Sequence, residues 1–419
     1  MSKLRLKAAQ VQVIFAVTFG SILEWFEIYA YAYLAPVLSR VFFNFDSDLA
    51  NLAAAFIIFG SGFLAKPFGA IIFGRIGDLI GRKKAFIWSI TFLAIPTFLM
   101  GCLPTYATAG IVAPALLAFL RLIQSIPSAG ETPGTGCYLY EFADQSNRRF
   151  LTSWGGVGNQ IGAILGVLEV FLLHQFMSDE FLFSWGWRIT FWSGGFIGLV
   201  GIYLRRKLHE TPPFKELKTQ HHVDKETVAA VIDHQKKHIA IGIAYGAINA
   251  TTFYLSAAYL PLYFNTALGL SPLANFTVSI SILILTTVLL PYFGWLGDRV
   301  NNRLMLVTSA LLIAFSLINL YYSIINVDLV SIAIFGGICL IANTCITALI
   351  TYRFMHLFRT SVRFTGSALS FNLADGIIGG FTPAISLFLV QYSGNQGAFC
   401  WFILASAIVS LLAYFKIKD

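Results

Sequence analysis

Six ionisable side chains lie inside long apolar runs of this 419-residue chain: Glu24, Glu27, Lys66, Arg121, Glu131 and Asp375. Glu169 and His174 sit nearer the end of such a run. A charge at the centre of a bilayer costs roughly 2.5–3.5 kcal/mol on insertion scales, so each of these groups needs a reason to be there. The chemistry open to them is ion pairing and proton transfer. An apolar setting disfavours the charged form of a carboxylate, and a nearby cation favours it. Moving the cation away therefore loads a proton, and returning it releases one. Enzyme chemistry finds no support, because the sequence has no His–Asp constellation, no Asp-x-x-Asp motif and no nucleotide loop. The five cysteines, at 102, 137, 339, 345 and 400, lack metal-site or disulfide spacing and read as small buried hydrophobes.

The elements that hold these groups follow from composition. The chain is 57% hydrophobic and 11% charged, with a mean hydropathy of +0.74. A soluble domain carries about 25% charged residues, and one this apolar would expose adhesive patches. Runs long enough to cross a bilayer as helices are predicted near 11–38, 50–74, 85–103, 107–138, 151–176, 187–205, 239–265, 273–296, 304–324, 328–352, 364–391 and 395–415. The first follows Lys3, Arg5 and Lys7 and is too long for a cleavable leader, so it reads as the first span.

Basic residues orient these spans. The loops after the even-numbered runs hold Arg75, Arg82, Lys83 and Lys84, then Arg148 and Arg149, then Arg205, Arg206, Lys207, Lys215, Lys218, Lys225, Lys236 and Lys237. Arg299 and Arg303 follow, then Arg353, Arg359 and Arg363, with Lys416 and Lys418 at the end. The opposite loops offer Arg40 and Arg188. The positive-inside rule then places both termini in the cytoplasm. It also accounts for the net charge of +8 without invoking nucleic acid, since the basic residues sit in short gaps between apolar runs.

The chain divides into a first half at 1–205, a charged linker at 206–237 and a second half at 238–419. The linker holds His221, His222 and His234, opens with Pro212-Pro213 and suits a short amphipathic surface helix. The halves repeat: Gly74-Arg-Ile-Gly-Asp78 corresponds to Gly294-Trp-Leu-Gly-Asp298, each after the second run of its half. Such duplication predicts an all-α membrane protein of twelve transmembrane helices in two pseudo-symmetric six-helix bundles, with a solute site near the midplane.

The segment Gly74-Arg-Ile-Gly-Asp78-Leu-Ile-Gly81-Arg82-Lys83-Lys84 resembles the loop signature of the major facilitator superfamily. Further segments resemble its metabolite:proton symporter branch, the carriers of proline and betaine, dicarboxylates and citrate, 2-oxoglutarate and shikimate. They are Glu24-Trp25-Phe26-Glu27, Lys66-Pro67-Phe68-Gly69, Arg121-Leu-Ile-Gln124 with Gly130-Glu131, the Glu141 to Arg148 spacing, and Arg363-Phe-Thr-Gly366 with Asn372, Gly379-Gly380 and Pro383. The resemblance implies a proton-coupled symporter for a small zwitterion or organic acid working by alternating access. A proton-coupled exporter is the alternative. It implies that Glu27 takes the proton under the control of Arg121, with Glu24 as a second candidate. It also implies a latch at Gly74, Asp78, Gly81, Arg82, Glu141, Arg148, Asp298 and Arg363 that holds the cytoplasmic ends together in the outward-open state.

Trp25, Tyr29, Tyr33, Lys66, Gln124, Gln160, Asn249, Tyr254, Asn372 and Asp375 are the candidate solute contacts. Aromatic faces suit a quaternary ammonium, Asn249 and Gln160 supply neutral hydrogen bonds, and Lys66 either faces an anion or snorkels. Tyr259, Phe264 and a bend at Pro261 belong to the seventh run. The sequence departs from the branch pattern at Glu27 for aspartate, Lys66 for arginine, Ser125 for glycine, Arg359 for proline and the added Asp375. The short stretch after the last run predicts no osmotic activation. The expected partners are a small polar solute, protons and lipid. Neither cofactor nor metal is expected, and the protein is read as a monomer of a bacterial inner membrane.

Overall fold

The computed structural model describes residues 6–220, 228–255 and 271–416. Pro261, Tyr259, Phe264, His221 and His222 lie outside them. Among the described residues there is no strand. In hydrocarbon a helix is the element that satisfies its own backbone, which is why long apolar runs fold this way. Nine spans are both long enough and apolar enough to cross a bilayer among the described residues. Trp187–Arg206, Val228–Tyr254 and Phe399–Phe415 lie at the three remaining predicted places. The chain is thus an all-α, multi-pass membrane protein.

Contacts divide it into two compact units. The first comprises Met1–Phe142, Val157–Lys225 and Thr360–Ala368, and the second Ala143–Gly156, Glu226–Arg359 and Leu369–Asp419. The first unit contains helices α1 (Ala8–Phe42), α2 (Asp48–Leu79), α3 (Arg82–Met100), α4 (Val112–Ser128), α5 (Glu131–Phe142), most of α6 (Arg148–Phe176), α7 (Trp187–Arg206) and the short α8 (Pro212–Thr219). Its core forms around α1, where Leu23, Phe26, Tyr31, Leu34, Leu38 and Phe42 are buried. Glycines let α6 close on that helix: a Cβ at Gly162 would lie 2.4 Å from the Ile22 carbonyl oxygen, and one at Gly166 would lie 2.6 Å from that of Phe26. Without lipid-excluding pressure between helices, close backbone approach of this kind drives association.

The second unit contains α9 (Val228–Tyr254), α10 (Pro272–Gly297), α11 (Asn302–Ile325), α12 (Leu329–His356), the rest of α13 (Arg363–Asn372), α14 (Thr382–Ser393) and α15 (Phe399–Phe415). Side chains on α15 bond directly to the backbone of α9. Ser410 donates to the Ala244 carbonyl at 2.7 Å and accepts from the Ile248 amide at 3.0 Å, and Tyr414 donates to the Tyr245 carbonyl at 2.8 Å.

Three predicted runs differ in detail. The fourth is not one helix: it breaks at Ala129-Gly130 after Pro127, where a Cβ on Gly130 would lie 2.8 Å from Phe73. The eleventh contains a π-helical stretch, Leu373–Gly379, between α13 and α14. Helix α9 starts at Val228, inside the stretch read as linker. Cys102 is exposed at the end of α3, whereas the other four cysteines are buried.

Candidate functional site

Near the middle of α1 and α4 and in the last turn of α3, four side chains close a ring. Arg121 pairs with Glu27 at 2.9 Å and donates to Gln124 at 2.8 Å. Gln124 Nε2 donates to Thr97 Oγ1 at 2.6 Å, and Thr97 Oγ1 reaches Glu27 Oε2 at 3.1 Å. All four are buried. The Arg121 guanidinium also lies 4.9 Å from the Tyr31 ring centre and 5.1 Å from that of Phe59. Arginine suits this place because its planar fork serves carboxylate, carboxamide and aromatic faces together. Breaking one buried partner out of such a pair leaves an uncompensated charge, so any proton reaching Glu27 has consequences for Arg121.

Two further pairs lie in the same unit. Lys66 meets Glu24 at 3.0 Å, and Thr132 donates to the other Glu24 oxygen at 2.9 Å. Lys66 therefore does not snorkel; its side chain is 5% exposed. Glu131 receives both terminal nitrogens of Arg205, at 2.6 and 2.9 Å, together with the Ser89 hydroxyl. Arg205 stacks on Phe86, 3.5 Å from the ring centre. A Cβ at Gly20 would sit 1.7 Å from Arg205, so only glycine leaves room for this pair.

The two Gly-x-x-x-Asp corners share one geometry. In the first unit, Asp78 accepts from the Phe364 amide at 3.1 Å, the Thr365 amide at 2.9 Å and the Thr365 hydroxyl at 2.7 Å, and it lies 3.3 Å from Arg82. In the second unit, Asp298 accepts from the Arg149 and Phe150 amides, each at 2.9 Å. Each carboxylate thus caps the exposed amides at a helix start, α13 and α6 respectively, where the helix dipole also favours negative charge. Burial pushes the Asp298 carboxyl above the usual carboxylate range, and the Phe150 and Arg149 amides oppose that shift. A Cβ at Gly74 would lie 2.7 Å from Thr365 Cα, and one at Gly294 would lie 2.5 Å from Ser153 Oγ.

The first corner has additional ties. Glu141 bridges Arg82 at 3.3 Å and Arg363 at 2.7 Å. Arg148, the other end of the predicted spacing, donates to the Ala143 carbonyl at 3.4 Å. Three linker residues join in. Thr211 donates to Glu141 at 2.6 Å, Phe214 lies 4.8 Å from the Arg82 guanidinium, and Glu210 accepts from the Lys83 amide at 3.2 Å. Gly81, with φ +124°, occupies backbone space closed to side-chain-bearing residues, and a Cβ there would lie 2.3 Å from Glu210.

The remaining candidates are distributed over both units. Trp25 and Tyr29 are buried on α1 with ring centres 6.5 Å apart, and Tyr33 packs half-buried against the same core. Gln160 is half-buried on α6. In the second unit, Asn249 accepts from Thr347 at 2.6 Å, Tyr254 donates to Asp375 at 3.4 Å, and Asn372 is buried one turn before Asp375. Thr97, Glu210, Thr211, Asn343 and Thr347 were not anticipated. Arg205 was read as a loop charge, hidden in the run Arg205-Arg206-Lys207. Its position opposite the intramembrane Glu131 is a tertiary fact with no local signal.

Known proteins place this architecture. The Major Facilitator Superfamily profile matches residues 17–372. A citrate-proton symporter of Salmonella typhi is 32% identical, the match covering 97% of this chain and 94% of the relative. A proline/betaine transporter of Salmonella typhimurium is 30% identical, with 97% and 83% covered. The solved structure of the proton:xylose symporter XylE bound to 6-bromo-6-deoxy-D-glucose shares the fold with a TM-score of 0.77 at 16% identity, over 98% of this chain and 96% of that one. With a profile spanning most of its length and a relative 32% identical over nearly all of it, the chain belongs to the major facilitator superfamily.

Proposed function

We propose that this protein is a proton-coupled symporter of a small zwitterion or organic acid, in which Glu27 carries the proton. The observation that carries this reading is the buried Glu27–Arg121–Gln124–Thr97 ring. With Glu27 charged, Arg121 is neutralised in place. Protonation of Glu27 leaves the guanidinium short of a counter-charge in a low-dielectric site, so an anionic group of the solute becomes its natural partner. Solute and proton then load together, which is the requirement of symport. The citrate and proline/betaine relatives support a solute with at least one carboxylate. The Asp78–Arg82–Glu141–Arg363 network serves as the latch of alternating access, on the cytoplasmic side that the basic loops mark. The protein acts as a monomer in a bacterial inner membrane, with both termini cytoplasmic and the proton as coupling ion.

Uptake into proteoliposomes under an inward proton gradient tests this. Glu27→Gln abolishes gradient-driven accumulation while sparing solute exchange. Accumulation by that variant at the wild-type level would overturn the assignment, and gradient-driven efflux by wild type would make the protein an exporter.

A further inference from the structure

Among the described residues, one buried acceptor in the second unit meets no donor. Asn343 is the fifteenth of the 28 residues of α12, so it sits at mid-span, and it is 6% exposed. Among the described residues its Oδ1 meets no hydrogen-bond donor. Thr347, one turn further along the same face, donates at 2.6 Å to Asn249 on α9. The face of α12 that bears Asn343 therefore turns toward α9. A hydroxyl that lacks a partner can rotate onto the carbonyl one turn back, as Thr347 does toward the Asn343 carbonyl at 2.9 Å. A carboxamide oxygen has no such escape. A buried acceptor left unmet is costly and asks for an explanation, and at mid-span, where secondary transporters bind their solutes, a visiting donor supplies one.

We infer that Asn343 is a specificity residue that accepts a hydrogen bond from an N–H or O–H of the transported solute, with Thr347 holding Asn249 beside it. This rests on the symport reading above and narrows its substrate class. The solute carries a polar hydrogen, on an ammonium nitrogen or a hydroxyl. A fully methylated ammonium is disfavoured because it presents no donor. Sites built to hydrogen-bond a group reject the analogue lacking it far more strongly than apolar pockets reject an extra methylene.

Two matched pairs test this in proteoliposomes with the full chain: citrate against tricarballylate, which lacks the hydroxyl, and proline against N,N-dimethylproline, which lacks the N–H. Wild type favours the donor-bearing member of at least one pair by about tenfold or more. In Asn343→Leu that ratio falls to within about twofold, with uptake of the donor-free member retained and the melting temperature of the solute-free protein not lowered, because an unmet polar group has been removed. Asn343→Thr gives a second measurement of the ratio at a smaller, polar side chain. Equal wild-type uptake of both members of each pair, or an unchanged ratio in the variants, overturns the inference while leaving symport intact. A purely structural Asn343 would lower uptake of both members alike and leave the ratio fixed. Wild-type uptake of none of the four solutes overturns this inference, whereas the symport reading is tested separately by the direction of gradient-driven transport.

Discussion

The two units solve one problem in opposite ways. The first sets buried charge against charge, with Glu27 on Arg121 and Glu24 on Lys66 along the helices and Glu131 on Arg205 at two helix ends. The second relies mainly on neutral groups, Thr347 against Asn249 and Thr251 against Ser406 at 2.6 Å, and its buried carboxylate Asp375 accepts from the Tyr254 hydroxyl at 3.4 Å. A duplicated fold gives both units the same helices and the same capped corners, so the contrast lies in side chains alone. Buried ion pairs respond steeply to a proton, and neutral hydrogen bonds do not. The difference fits the proposal above, in which one half of the duplication couples to the proton and the other discriminates among solutes.

The sharpest way to break this contrast is to remove one member from each side. Glu131→Ala strands the fully buried Arg205 and costs about 3–5 kcal/mol. Thr347→Val loses a neutral bond and costs about 1 kcal/mol. Denaturation in detergent should show the first variant far below the second, and equal losses would erase the distinction. The corners offer a finer comparison. Asp78→Asn weakens three hydrogen bonds and a contact with Arg82, against two hydrogen bonds and a longer 3.9 Å ion contact for Asp298→Asn. At about 1.5–3 kcal/mol for a bond to a charged group, the Asp78 variant should lose more stability and more uptake. The glycines are closer in rank. Gly74→Ala drives a methyl against the Thr365 backbone, 2.7 Å from its Cα, and Gly294→Ala drives one against Ser153, 2.8 Å from its Cβ, and 3.0 Å from the Arg149 carbonyl oxygen, so each costs about 1–3 kcal/mol. If the second corner proves the more sensitive, the latch proposed above belongs to the other unit.

The smallest effect lies outside the spans. Asp328 caps α12, accepting from the Ser331 hydroxyl at 2.6 Å and from the Val330 and Ser331 amides at 3.2 Å. These bonds, that from the Ser331 hydroxyl first, hold its carboxyl below the usual carboxylate range. Its contribution is therefore present above the ordinary aspartate pKa and fades as pH falls through the lowered one. Amide exchange in the first turn of α12 should quicken at acid pH in wild type and be pH-independent, after correction for intrinsic rates, in Asp328→Asn.

Much of this was legible in the sequence, for physical reasons. Apolar runs report spans because the bilayer has a fixed thickness, and the Gly-x-x-x-Asp repeat reports the capped corners because close packing favours the glycine and the free helix amides favour the carboxylate there. Glu27, Lys66 and Arg121 stood out because a charge in an apolar run is rare. Thr97, Thr211 and Asn343 did not, since hydroxyls and carboxamides are ordinary in helices and acquire meaning only from a neighbour across the bundle. The breaks in the fourth and eleventh runs stayed hidden because hydropathy does not register a backbone that changes its hydrogen-bond step.

The ring around Glu27 contains one contested hydrogen. Thr97 has a single hydroxyl proton and two acceptors within reach, Glu27 Oε2 at 3.1 Å and the Leu93 carbonyl at 2.8 Å, while its lone pairs take the Gln124 amide. When Glu27 is ionised, the hydroxyl is drawn to the carboxylate. Once Glu27 holds its own proton, the hydroxyl swings to Leu93. If Glu27 carries the proton as proposed, every turnover moves at least two hydrogens, one delivered and one rotated. Such a rotor would leave its mark in heavy water: uptake should slow along a bowed, rather than straight, line as the deuterium fraction rises.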